Sequence, residues 1–154
     1  MRSISTLIIT TLALLFASNA VAEGTQENIT KIKDVIQSAY VEGVQNEGNL
    51  EKIDRGFHPD FAMLGIGDNG SMWKFSIEEW KKRIVKSVSD GKLPRPADDK
   101  VSVKFLSVDV TGNAAVAKLE YYVGTKLEYI DYISLYKFDG DWKLVSKIFH
   151  KTES

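Results

Sequence analysis

The 154-residue chain contains no cysteine, only two histidines and three prolines, and its 20 Lys and Arg nearly balance 21 Asp and Glu. Without cysteine there is no disulfide and no thiol nucleophile, and structural zinc is disfavoured. The near-neutral charge offers no footprint for an anionic polymer. The densest basic cluster, Lys81, Lys82, Arg83 and Lys86, falls on the polar side of a predicted helix. That is a solvated face, so no nucleic-acid partner is expected. No glycine-rich loop follows a strand and opens a helix, and no cofactor is expected. Repeats and low-complexity tracts are absent.

The first residues read as an export signal. Arg2 is the only charge before Glu23, and an apolar run follows from Ile4 to Ala17. Ser18-Asn19-Ala20-Val21-Ala22 then places small residues where a signal peptidase accepts only small side chains. The run falls short of the ~20 residues a bilayer core needs. Cleavage after Ala22 is expected, with a periplasmic or secreted protein that has no membrane contact once the signal is gone. Residues 23–154 then form a single domain, long enough for a hydrophobic core of its own.

Residues 26–45 carry Ile29, Ile32, Val35, Ile36, Ala39, Tyr40 and Val44 at helical spacing. Asn49 can cap a short second helix with Leu50, Ile53 and Phe57 on its apolar side, which Pro59 stops. A strand from Phe61 to Ile66, a turn and a second strand through Trp73 and Phe75 follow. Ser76 and Glu79 form a capping box that opens a third helix bearing Ile77, Trp80, Ile84 and Val88 on one side. From Val101 onward the period is that of strands, with turns at Thr111-Gly112-Asn113 and Asp139-Gly140. Three helices followed by hairpin-linked strands predict an α+β cone. Its curved antiparallel sheet packs on helices from the N-terminal half, leaving a pocket between the first helix and the sheet.

Asp-Gly favours a two-residue type I′ turn, which pairs Phe138 with Asp141. Counting outward pairs Leu135 with Leu144, Ile133 with Ser146, Asp131 with Ile148 and Tyr129 with His150. On this register Tyr129, Asp131, Ile148 and His150 face inward and Lys143, Lys147 and Glu128 outward. The inward carboxylate of Asp131 costs several kcal/mol unless it finds a partner. A slip of one residue would turn it outward.

The segments Phe57-His58-Pro59-Asp60-Phe61, Gly112 to Glu120 and Tyr129 to Lys143 resemble the putative lumazine-binding family of the nuclear transport factor 2-like superfamily. The similarity runs from about Ile29 to Lys151. It implies that superfamily's cone and a pocket lined by Tyr40, Phe57, His58 and Phe61. Trp73 or Trp80 would contribute from the middle of the chain, and Asp131, Ile148 and His150 from the sheet. The superfamily holds binders, enzymes and assembly modules alike, so the fold does not fix the function.

Three functions fit the sequence. The first is a pocket for a small planar or apolar metabolite, with aromatic walls and Asp131 for polar recognition. The second is a cofactor-independent proton-transfer enzyme, an isomerase, dehydratase or cyclase. There Asp131 takes a proton from carbon and His58 or His150 returns it. The third is an interaction module that forms a homodimer through the outer sheet face, where Tyr122, Ile130, Tyr132, Tyr136 and Phe149 are expected. No metal site is expected.

Overall fold

The computed structural model describes residues 25–153, so the expected signal segment 1–22 lies outside the described residues. The first helix, α1, spans 25–47, with α-helical winding over 25–35 and wider π winding over Ile36–Glu47. It buries Ile32, Ile36, Ala39, Tyr40, Val41 and Val44 against the sheet. Gly48 ends it in the left-handed conformation, at φ 71°. Helix α2 covers Leu50–Gly56, and the Asn49 side chain accepts a hydrogen bond from the Lys52 amide at 3.1 Å. Strands β1 (Phe57–Ile66) and β2 (Met72–Ser76) form a hairpin that leads into α3 (Ile77–Ser89). Both halves of the expected capping box at α3 are present. Strands β3 (Val101–Thr111), β4 (Ala114–Val123), β5 (Lys126–Phe138) and β6 (Asp141–Lys151) complete the chain.

The six strands form one sheet in the order β2-β1-β6-β5-β4-β3. The α+β class is as expected, but the sheet is mixed rather than wholly antiparallel. β1 runs parallel to β6, with Phe57 opposite Leu144 and Ala62 opposite Ser146. β1 also begins at Phe57, not at Phe61. The reason is local: a residue before proline favours extended backbone, so the strand absorbs His58 and Pro59 instead of starting after them.

The Asp139-Gly140 turn holds positive φ at both residues, 49° and 95°, as a type I′ turn requires. It sets the expected pairs Phe138 with Asp141 and Leu135 with Leu144. Beyond them the expected register fails. Ser134 pairs with Ser146, so Val145 is an extra residue on β6, a β-bulge. Every later residue of β6 is therefore turned over. Ile133 pairs with Lys147, Asp131 with Phe149, and Tyr129 with Lys151. Asp131 stays inside, as expected. Lys147 and Phe149, expected outside, point in. Ile148 and His150, expected to face the pocket, lie on the exposed outer face.

Candidate ligand cavity

The core between α1 and the sheet is apolar, built from Ile32, Ile36, Val41, Leu119, Ile133, Leu135 and Leu144. Three polar side chains interrupt it at one end. Asp131 is fully buried, and its Oδ2 accepts hydrogen bonds from the Tyr40 hydroxyl at 2.7 Å and the Lys147 ammonium at 2.9 Å. Lys147 Nζ also donates to the Tyr40 oxygen at 2.6 Å. The three groups thus close a triangle in which Tyr40 takes a proton contact from the cation and passes one to the anion. Such charge-assisted bonds offset the cost of burying the two ions only when geometry is good. Asp131 Oδ1 has no hydrogen-bond partner among the described residues.

Aromatic rings surround the lysine. Nζ lies 4.8 Å from the Tyr40 ring centre, 5.3 Å from Phe149 and 5.7 Å from Tyr121. Cation–π attraction at such distances favours the charged form when water is excluded. Burial acts against it, and it pulls the Lys147 pKa down despite the neighbouring Asp131 carboxylate. Burial, and then the negative charge of Asp131, pushes the Tyr40 phenol well above its ordinary value. Burial likewise raises Tyr121, whose hydroxyl donates to Gln45 Oε1 at 2.9 Å.

Above this triangle lies a cavity of about 230 Å³, lined by Tyr40, Gln45, Met63, Trp80, Tyr121, Tyr129, Lys147 and Phe149. Gln45, Met63 and Trp80 also line a wider cleft of about 650 Å³ that reaches Arg83, Ser87, Lys92 and Arg95. Together they form a passage with soft, aromatic walls and a basic rim. Its size suits a small molecule; such sites run to roughly 300–1,000 Å³. Asp131 does not line this cavity. It sits one layer behind, and Tyr40 and Lys147 present its charge to the interior.

The sequence profile of the family described as Putative lumazine-binding matches residues 27–150. The chain belongs to this family. Its fold is the NTF2-like one. An NTF2-like protein of Shewanella baltica OS155 aligns with a TM-score of 0.64 at 22% identity, covering 83% of this chain and 96% of its own. One from Silicibacter pomeroyi DSS-3 aligns at 0.66 with 19% identity, covering 83% and 98%. The chain is also 29% identical over 112 residues to the aldolase FrzH of Cladobotryum sp, covering 72% of this chain and 82% of that protein.

Within this fold the expected site residues fall in different places. Tyr40, Trp80 and Tyr129 line the cavity, and Asp131 supports it from behind. Phe57 and Phe61 are core residues instead of cavity lining. Their rings meet edge to face at 4.8 Å, and each lies 6.3 Å from Trp80, which they hold in place. Trp73 covers Gly65, where a Cβ would stand 2.0 Å from the indole, and its far side meets Phe149 at 6.0 Å.

Both histidines are outside the cavity. His58 stacks on Phe138 at 4.6 Å, and its Nδ1 accepts from the Asp60 amide at 3.2 Å. His150 and Ile148 line a separate pocket of about 510 Å³ with Ile66 and Met72. Among the described residues no group of three His, Asp or Glu side chains is placed to hold a metal ion. Sequence reasoning missed Lys147, Tyr121, Phe149, Gln45 and Met63. Phe149 carried a signal, since an aromatic beside an apolar Ile148 admits two registers.

Proposed function

We propose that the protein binds a small planar or apolar molecule in the cavity above Lys147. The observation that carries this reading is a buried, charged, hydrogen-bonded triad facing an aromatic-walled space that opens to solvent. Tyr129, Phe149 and Trp80 supply area for a flat ligand, while the Lys147 ammonium and Tyr40 hydroxyl offer two polar contacts. The family's description supports a pteridine-like ligand. Titration with lumazine, followed by tryptophan fluorescence, is the first test. Saturable binding weakened at least tenfold by Tyr129→Ala is expected. Lumazine and a panel of planar metabolites all failing to bind or to raise the melting temperature would overturn the reading.

A second reading is enzymatic. It draws on the similarity to a protein named an aldolase and on Lys147, Tyr40 and Asp131, groups able to hold and pass protons beside a carbonyl. Neither His58 nor His150 takes part in it, since both lie outside the cavity.

Export and self-association belong to the same proposal. Cleavage after Ala22 is tested by N-terminal sequencing, which should begin at Glu23. A homodimer through the outer sheet face is supported by the exposed Val116, Tyr132, Tyr136 and Ile148. Light scattering that finds a monomer at micromolar concentration would end that part of the reading.

A further inference from the structure

We infer that Lys147 is a nucleophilic amine that captures an aldehyde or ketone as an imine inside the cavity. The inference rests on the small-molecule reading above and narrows its ligand to a carbonyl compound. A lysine at the inner end of a pocket is unusual, because an ammonium is among the most costly groups to bury. Here Lys147 lines the cavity, and its Nζ is held by two oxygens at 2.6 and 2.9 Å and walled by three aromatic rings. Those contacts fix its direction, which is what a nucleophile requires. Burial also holds its pKa below that of a free lysine, which raises the share of neutral amine.

The step balances with the groups present. The ammonium passes one proton to Asp131 Oδ2, leaving a neutral amine. Its lone pair forms a bond to the carbonyl carbon while the C=O π pair moves to oxygen. That oxygen takes a proton from the Tyr40 hydroxyl, which recovers one from Nζ. The carbon–oxygen bond then breaks, and the proton held on Asp131 returns through Tyr40 to the departing hydroxide. Water leaves with the carbonyl oxygen and two of the three ammonium protons. Nitrogen keeps one proton and the positive charge, now as an iminium beside the Asp131 carboxylate. The buried charge is therefore the same before and after. Tyr40 remains a neutral phenol throughout, as its raised pKa requires.

The test uses the full mature chain and 2,4-pentanedione, a small diketone whose lysine adduct is a stable enaminone absorbing in the near ultraviolet. One adduct per chain is expected, mapped by peptide mass to Lys147, forming at least tenfold faster than on an exposed lysine such as Lys100. Tyr40→Phe, which keeps the ring but loses the relay, should slow it at least tenfold. Lys100→Arg should leave it unchanged. Modification spread over surface lysines with Lys147 untouched overturns the inference, and that result needs no variant to fold. If lumazine or another ligand still binds in that case, only the imine falls. If none does, the binding reading falls with it.

Discussion

Near its turn the β5–β6 hairpin presents Leu135, Trp142 and Leu144 to the interior, none of them more than 4% exposed. Beyond Val145 the same two strands present Tyr129, Asp131, Lys147 and Phe149. The first end is held by apolar area removed from water, so its stability depends on shape and volume. The second is held by ions that lose solvation and recover it only from each other. A single extra residue separates the two regimes. The comparison teaches that a β-bulge can decide the chemistry of a site without contributing a side chain to it.

The sharpest way to break the polar end is to remove one ion. Lys147→Met leaves the Asp131 carboxylate buried with only Tyr40, and should cost about 3–5 kcal/mol in urea unfolding. Adding Asp131→Asn should recover most of that loss, because no charge then remains unpaired. A single variant that loses under ~1 kcal/mol would mean that water reaches the pair. At the dry end, Leu144→Ala should cost roughly 3 kcal/mol through lost burial and a cavity. It should leave ligand affinity within about twofold, which is where the two ends part.

Alkali probes the polar end. Tyr40 and Tyr121 have folded pKa values raised above the ordinary value of 10.0. The unfolded chain therefore loses these protons first, and their contribution is complete below pH 10. It declines above that by about 1.4 kcal/mol per pH unit for each tyrosine. Lys147 works in the opposite sense. Its folded pKa is lowered from 10.5, so its share of the stability rises with pH up to that value and is constant above it. Tyr121→Phe should remove one tyrosine's share, measured by denaturant titration between pH 10 and 12. The smallest effects belong outside: Ile148→Ser and His150→Ala should each change stability by no more than about 0.5 kcal/mol. A large loss at His150 would mean that the bulge is absent and the strand turned over.

Much of the fold was legible because local signals agreed with one another. The caps at Asn49 and Ser76 and the Asp139-Gly140 turn each act over a few residues, and each formed as the residues demanded. Asp131 was also legible, since β5 alternates without interruption from the turn to that residue. Lys147 was not. Leu144-Val145 and Ile148-Phe149 are two adjacent apolar pairs, and alternation cannot say which member of each faces in. Packing decides it: Phe149 meets Tyr129 edge to face at 5.5 Å, which the regular register would forbid. The parallel contact of β1 with β6 was equally hidden, because no turn signal links strands so far apart in sequence.

That contact carries a consequence for the order in which the molecule assembles. β3 to β6 are joined in sequence by tight turns, whereas pairing Phe57 with Leu144 must close a loop through most of the chain. Closure over a long loop costs more entropy, and distant pairings slow folding. The four-strand meander is therefore expected to form first, with the N-terminal half docking on it later. Ile133→Val should then slow refolding, while Ile36→Val should chiefly speed unfolding, and the opposite pattern would put the helix first. Asp131, Lys147, Tyr121 and Tyr129 come from the meander, while Tyr40, Met63 and Trp80 come from the docking segment. Until the two halves meet, the ion pair stands in water. Its dehydration, and with it the cavity, belongs to the last step of folding.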